Sequence, residues 1–249
     1  MKILAVDSTT RTACAALTED GRTLASFTSD SGPTQSERLL PMVEEVLRAA
    51  RVGIDEIDLF ASTVGPGSFT GVRIGVAVIK GLAFGSEKPC VPVSALEAMA
   101  ENLFPLEGIY CPVIDARRSQ VYTALFCREG EQLVRLTEDE LLPIDTLLAM
   151  LEKKGMPVLL TGDAVKAVKR RASENSSPLS FPSLPTDLLL PSGTAVARCA
   201  LRAVKEGRSV REEELVPVYL RPTQAERERV EREEQKKKEQ ENKKENTSC

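Results

Sequence analysis

The chain of 249 residues contains no histidine and no tryptophan, and aromatic residues make up only 4% of it. Histidine is the commonest general base near neutral pH, so its absence excludes Ser-His-Asp and Cys-His catalytic sites and metal sites built on paired histidines. Long apolar runs are also missing: Ile3 to Val6 precede Asp7 at the N-terminus, and Arg73 and Lys80 interrupt the longest stretch. Such runs are too short for a signal-peptide core or a membrane span, and we expect a cytoplasmic protein.

Cysteine and net charge set further bounds. The six cysteines include no Cys-x-x-Cys pair, which excludes the usual zinc and dithiol motifs and predicts small core residues in a reduced protein. The formal net charge of −4 argues against a general polyanion-binding surface but leaves room for a local basic patch. Contact with nucleic acid, if any, is expected to be shared with a partner.

An internal repeat indicates the fold. Val6-Asp7 followed by Ala16-Leu17 recurs as Ile114-Asp115 followed by Ala124-Leu125, at an unchanged offset of 108 residues. In both copies an apolar strand ends in Asp and leads through a polar turn to a second strand, a glycine hairpin and a third strand. This order predicts an α/β protein with the duplicated actin, Hsp70 and sugar-kinase (ASKHA) fold.

Composition divides the chain into three parts. Pro105 marks a predicted boundary between an N-terminal subdomain, 1–104, and a C-terminal subdomain, 105–222. The remaining segment, 223–249, holds eight basic and eight acidic residues and only two aliphatic ones. We expect a solvated helix or disorder there, with a tether to RNA or to a partner as the alternative.

A glycine-rich run is the most specific local feature. Gly65-Pro66-Gly67 ends a predicted strand, and Ser68 is a natural N-cap for the helix over 69–86. Four glycines, Gly71, Gly75, Gly81 and Gly85, each cost about 1 kcal/mol in a helix interior relative to Ala. We expect the close approach of another backbone to compensate for them.

The ordered run from Gly65 to Gly75 resembles the signature of the TsaB family, formerly YeaZ, of tRNA threonylcarbamoyladenosine biosynthesis proteins, in the TsaD and M22-peptidase-like group. Three further stretches, Lys2–Thr10, Ser36–Met42 and Pro217–Arg221, extend the resemblance over residues 1 to about 221. The chain departs from many relatives at Gln35, where His is expected.

The resemblance implies a non-catalytic scaffold subunit that binds and activates TsaD in the modification of ANN-decoding tRNAs. It further implies TsaE with ATP in a larger complex, a homodimer when the chain is alone, and tRNA reached only indirectly. TsaD uses paired histidines to hold its metal, so this chain cannot perform that reaction by the same route. We expect no metal and no membrane association.

The family arrangement also implies a partner interface, because its first two long helices pack against the equivalent pair of TsaD. In this chain these are the helices over 36–51 and 69–86, and a Val76→Glu change is expected to abolish the complex while leaving the chain folded. The alternative is a wholly intramolecular core. The expected interface residues are Leu39, Val43, Leu47, Val72, Gly75, Val76 and Ile79.

A nucleotide site is the second candidate. Asp7, Ser8 and Thr9 match the first phosphate turn of this fold, and Gly162-Asp163 match the turn that touches adenosine. The first loop lacks the usual glycine, so capping of the strand turn is the favoured role and any ATP binding is weak. The equivalent second loop, Asp115 to Arg118, suits ion pairing or anion contact.

Two other functions stay open. One is a stand-alone enzyme, either an M22-like peptidase or an ASKHA-type phosphotransferase, although the missing histidines and loop glycines argue against both. The other is a homodimeric nucleotide-binding sensor without a role in tRNA modification.

Overall fold

The computed structural model describes residues 1–30, 34–104 and 106–221. Met1–Val218 form one compact unit with two β-sheets. The predicted charged tail, 223–249, lies outside the described residues, as does Pro105, and the boundary at 104/105 stays a prediction. The described α-helices are α1 (Gln35–Ala50), α2 (Phe69–Ala83), α3 (Ala95–Glu101), α4 (Ile144–Glu152), α5 (Val165–Glu174) and α6 (Gly193–Lys205).

The first sheet has the strand order β3-β2-β1-β4-β5. β1 pairs antiparallel with β2 and parallel with β4, and β4 in turn pairs parallel with β5. Both faces of β1 are buried, with Leu4 and Val6 facing one core cluster and Ile3 and Ala5 facing another. The strands are β1 (Lys2–Asp7), β2 (Ala13–Glu19), β3 (Arg22–Ser29), β4 (Leu59–Gly65) and β5 (Cys90–Ser94).

The second sheet repeats this plan with interrupted strands. Its strands are β6 (Ile109–Asp115), β7 (Gln120–Thr123), β8 (Phe126–Glu129), β9 (Gln132–Arg135), β10 (Glu140–Pro143) and β11 (Val158–Thr161). β7 and β8 pair antiparallel with β6 in one continuous register, so together they form the second strand of this copy. β9 and β10 pair with β8 and β7 and form the third strand, while β11 runs parallel to β6. The duplicated ASKHA fold expected from the repeat is therefore present.

One part of the predicted repeat was wrong. Asp7 pairs with Cys14, whereas Asp115 pairs with Val121, so the second strands correspond at an offset one residue shorter than 108. Ala124-Leu125 lie at the interruption between β7 and β8 and are not equivalent to Ala16-Leu17. The second turn is one residue shorter, and sequence matching at a constant offset conceals such a deletion.

The helices form layers on both sheets. α1 and α2 cover one face of the first sheet, and α4 and α5 cover one face of the second. The middle layer contains α3 and α6: α6 packs on the first sheet, while α3 contributes Ala98 to that cluster and Leu96 and Met99 to the cluster on the second sheet. Glu101 of α3 is buried, and both of its carboxylate oxygens accept from α6, from Arg198 at 2.9 Å and Arg202 at 2.7 Å.

Local signals in the sequence account for the helix boundaries. The Ser68 side chain accepts from the backbone N–H three residues on and begins α2, as predicted, and the Ser94 side chain begins α3 in the same way. Four cysteines, Cys14, Cys90, Cys111 and Cys199, are buried as expected, and burial raises the pKa of the Cys111 thiol to about 12. Cys127 is only half-buried, and Cys249 lies outside the described residues.

Candidate functional site

The glycine motif packs against the loop that follows β1. Ser68 N donates to Thr9 O at 2.6 Å, and the Ser8 hydroxyl donates to Gly71 O at 2.8 Å. A Cβ at Gly67 would collide with the backbone of Thr9, and one at Gly71 with the backbone of Ser8. The predicted close approach of another backbone is confirmed for Gly71, because only glycine leaves room for that loop.

The start of α1 closes the same loop from another side. The Gln35 side chain donates from Nε2 to Thr10 O at 2.8 Å, and the Arg38 guanidinium donates to Arg11 O. Gln35, whose role the sequence left open, therefore clamps the loop. An amide serves this role well because it donates to a carbonyl without bringing a charge.

The predicted phosphate-binding residues are enclosed by these contacts. Asp7, Ser8 and Thr9 are fully buried, and Asp7 Oδ1 accepts from the backbone N–H and the hydroxyl of Thr9, both at 2.7 Å. Their side chains are at most 1% exposed, so among the described residues these three offer no surface on which a phosphate could lie. These three residues are therefore corrected from nucleotide ligands to structural residues of the loop. Whether the chain binds ATP elsewhere stays a prediction.

The buried Asp7 carboxyl is electrostatically unusual. Its burial, which outweighs the hydrogen bonds from Thr9, raises its pKa. Among the described residues, Asp7 Oδ2 and the nearby Thr63 Oγ1 are both buried without a hydrogen-bond partner. A hydrogen bond between Oδ2 and the Thr63 hydroxyl resolves both deficits in either protonation state, because the hydroxyl can donate to a carboxylate and accept from a protonated carboxyl.

The second half of the predicted nucleotide site joins strands of the second sheet. Gly162 has a φ of +105°, and a Cβ there would collide with the Val113 backbone. Asp163 Oδ1 accepts from Asp115 N at 2.8 Å and so ties the ends of β11 and β6 together. No hydrogen bond or ion pair among the described residues links this turn to Asp7, Ser8 or Thr9.

Six of the seven predicted interface residues are buried within the chain. Leu39, Val43, Val72, Val76 and Ile79 are buried in the core beneath α1 and α2. Gly75 is also buried, since its Cα lies above the Ser8 and Ser62 hydroxyls, and Leu47 is half-buried beside the cluster. The assignment of the six buried residues to a partner is therefore corrected, and that of Leu47 stays a prediction. Apolar periodicity marked the inward stripe of each helix, because burial within the chain and burial against a partner select the same residue types.

A different surface of α2 is apolar and open. Ile74, Ala77, Val78 and Gly81 follow the spacing of a single helix face, and Phe84 comes directly after the helix. We call these five residues the α2 outer face. Phe84 is 80% exposed, Ala77 and Gly81 are exposed, and the other two are half-buried. On the adjacent α1, Leu40 is 42% exposed.

Gly81 distinguishes this face from the rest of the motif. A Cβ at Gly81 would meet no atom within 4 Å, whereas one at Gly75 would lie 2.8 Å from Ser8 Oγ. The chain itself thus gives no reason for a helical glycine at position 81. Gly85, the fourth glycine of the motif, lies beyond α2 with a φ of +71°, so its role is to end the helix.

A cavity of about 500 Å³ lies between α3, α6 and the hairpin of β8 and β9. Its charged side chains pair with one another: Glu97 lies 3.5 Å from Arg202 and 4.0 Å from Arg135, and Arg208 pairs with Glu206. Among the described residues no group of three or more His, Cys, Asp or Glu side chains is placed to hold a metal, and no helix is long and apolar enough to cross a membrane.

Comparison with known proteins agrees with this architecture. The family model described as TsaD, tRNA N6-adenosine threonylcarbamoyltransferase, matches residues 31–216. The class defined by fold and sequence is thus the threonylcarbamoyltransferase-like branch of the actin-like proteins. Transferases of this name resemble the chain over shorter spans, for example one from Kosmotoga olearia that is 32% identical over 39% of the chain and 34% of its own length.

Closer relatives specify the family. The tRNA threonylcarbamoyladenosine biosynthesis protein TsaB of Escherichia coli is 32% identical over 89% of the chain and 95% of its own length. The TsaB of Bacillus subtilis is 35% identical over 65% of the chain and 71% of its own length. The crystal structure of YeaZ from Pseudomonas aeruginosa superposes with a TM-score of 0.72 at 28% identity, covering 88% of the chain and 99% of YeaZ. The chain belongs to the TsaB family, and its role lies in tRNA threonylcarbamoyladenosine biosynthesis.

Proposed function

We propose that the chain is a non-catalytic subunit that binds TsaD through the α2 outer face and Leu40, and that this binding activates TsaD. The observation that carries the proposal is Gly81, an exposed helical glycine above which the chain leaves open space. Glycine lowers helix stability by about 1 kcal/mol relative to Ala, and a partner backbone packed closely over it explains why it is present.

The similarity of the chain to TsaD supports TsaD as this partner. Because the TsaD family model matches residues 31–216, TsaD is expected to carry helices equivalent to α1 and α2. Two related helix pairs present similar ridges and grooves, so they can pack as a four-helix arrangement. The same surface can pair two copies of this chain when TsaD is absent.

The enclosed Asp7 loop and the lack of histidine support a non-catalytic role. The loop that grips phosphate in kinases of this fold is filled here by Ser68, Gly71 and Gln35. In the proposed complex TsaD supplies the metal and the transfer chemistry, TsaE supplies ATP turnover, and tRNA binds to the assembly. The site of action is the cytoplasm.

The test is complex formation between the purified chain and TsaD of the same organism, measured by light scattering on a sizing column. We expect a one-to-one complex that replaces the homodimer. Ala77→Arg, which places a large cation on the α2 outer face, should abolish it. Ser26→Arg, at an exposed position of β3, is the matched control and should leave it intact. Threonylcarbamoyl transfer by TsaD should follow the same pattern.

The opposite outcomes identify the alternatives. Separate species in the presence of TsaE and ATP would contradict the scaffold role. Turnover of ATP or casein by the isolated chain would support a stand-alone enzyme. Tight ATP binding without any complex would support the nucleotide sensor.

A further inference from the structure

The loop between β6 and β7 has an unusual backbone. Arg117, Arg118 and Ser119 have φ angles of 65°, 55° and 56°, so three consecutive residues other than glycine lie in the left-handed region. Side chains are disfavoured there, and such residues occur mostly singly. A loop that retains this strain over three residues is a candidate for function.

The loop is held firmly at its base. Ala116 N donates to Gln120 O at 3.0 Å, and Gln120 N donates to Arg117 O at 3.1 Å. Ile144 N, at the start of α4, donates to Ser119 O at 3.0 Å. These bonds fix the backbone conformation, so the groups at the tip are presented in a defined arrangement.

The tip offers hydrogen-bond donors to solvent. Within the described part of the chain, the backbone N–H groups of Arg118 and Ser119 have no acceptor, and the Arg118 guanidinium has no partner. Arg117 is 86% exposed and holds Asp115 Oδ2 at 3.3 Å, which leaves its other guanidinium donors directed to solvent. Adjacent N–H groups beside an arginine recognise the oxygens of a phosphate.

Further cations lie on the neighbouring helix. The hydrogen bond from Asp115 N to Asp163 Oδ1 ties the loop to the start of α5, where Lys166 and Arg170 are exposed one turn apart. Lys166 has no partner among the described residues, and Arg170 lies 3.7 Å from Glu174. The nearby carboxylates are engaged: Asp115 with Arg117, Asp163 with the Asp115 backbone, and Glu174 with Arg170 and Arg171.

We propose that the loop Arg117-Arg118-Ser119 binds a backbone phosphate of RNA, with Lys166 of α5 as a further cation. The loop projects from the surface, so it can meet one phosphate of a large ligand but encloses no base. The proposal rests on the proposed function only in naming tRNA as the source of the phosphate. It gives this subunit a direct tRNA contact. The net charge of −4 for the whole chain does not predict this contact, because the cations are local to one loop.

The experiment measures binding of an ANN-decoding tRNA transcript, by fluorescence anisotropy against salt concentration, to the isolated chain and to its complex with TsaD. Arg118→Glu should weaken binding and reduce the salt slope by about 0.7–0.9, the value for one phosphate contact. Arg22→Glu is the matched control, an exposed and unpartnered cation on β3, and should change neither the affinity nor the slope by as much. Arg118→Gly keeps the backbone donors and should give an intermediate loss, and circular dichroism shows that each variant is folded.

Each outcome decides the proposal. An unchanged affinity and slope for Arg118→Glu in both forms would overturn it. Inorganic phosphate and ATP serve as further probes. If Arg118→Glu weakens their binding but leaves tRNA binding unchanged, the loop binds a free phosphate group and the assignment to RNA is wrong. Failure of the TsaD interface is separate, because Ala77→Arg removes the complex without touching this loop.

Discussion

Replacing Gly81 by Ala should stabilise the isolated chain and weaken its complex with TsaD. Position 81 lies inside α2, and a Cβ there meets no atom within 4 Å, so the methyl group carries no steric cost. Ala is better than Gly in a helix by about 0.5–1 kcal/mol, and for a unit of this size 1 kcal/mol shifts Tm by about 2–4 °C. We therefore expect a rise of about 1–4 °C by differential scanning calorimetry.

The complex should respond in the opposite sense. If the backbone of a TsaD helix packs over Gly81, the added methyl group must push it away or distort it, at a cost of about 1–3 kcal/mol, which corresponds to a fivefold to more than hundredfold rise in Kd. Isothermal titration of the chain with TsaD measures this change. A variant that is both more stable and fully competent in binding would refute the role given to Gly81.

Gly75→Ala is the matched control within the same helix. Its Cβ would lie 2.8 Å from Ser8 Oγ and 3.1 Å from Ser62 Oγ, both of them buried. We expect Gly75→Ala to lose about 1–3 kcal/mol of stability, because the tightly packed β1 and β4 cannot yield freely. Two identical substitutions six residues apart in the same helix should thus change Tm in opposite directions, which a difference in helix propensity alone cannot produce.

Three other predictions concern the core, the buried acid and the loop. Val76→Glu should prevent folding and give insoluble protein, because Val76 is 5% exposed and a buried unpaired carboxylate costs several kcal/mol. A soluble V76E variant with the circular dichroism spectrum of a folded protein would contradict this prediction. The raised pKa of Asp7 means that the folded state binds the proton more tightly than the unfolded state does. The contribution of Asp7 to stability therefore falls as the pH rises from its pKa in the unfolded chain through its pKa in the folded chain. In urea unfolding, Asp7→Asn should therefore gain stability relative to the wild type as pH rises above the ordinary aspartate pKa of about 4, and a difference that does not change with pH would contradict the raised pKa. Ser119→Gly should raise stability by about 1 kcal/mol by relieving a left-handed φ, and an unchanged Tm would show that the loop is not strained.

Much of the fold was predictable because its signals are local. The Ser68 cap and the apolar spacing over 36–51 and 69–86 predicted helices close to those observed. β10 was missed, since Glu140–Pro143 is short, half-buried and ends in proline, so it lacks the alternation of a strand. The one-residue deletion in the second turn was also hidden, because only the pairing of Asp115 with Val121 reveals it.

The site was less predictable because its decisive properties depend on tertiary packing. Val72 and Val76 fit a core and an interface equally well by sequence, and only their burial separates the two. Gly71 and Gly81 look alike in the motif, yet one lies against the Ser8 backbone and the other beneath open space. The left-handed conformation at Arg117 to Ser119 has no sequence signal, because none of the three is glycine or asparagine.

The position of α6 in the middle layer has a consequence for biosynthesis. α6 (Gly193–Lys205) packs on the first sheet, where Gly193 lies against the backbone of Ala15 and Ala16. One face of a sheet whose strands are complete by residue 94 therefore stays uncovered on the ribosome until more than a hundred further residues have been made. The N-terminal half cannot reach its final stability ahead of the C-terminal half, and a nascent chain released early exposes an apolar sheet of the kind that chaperones bind.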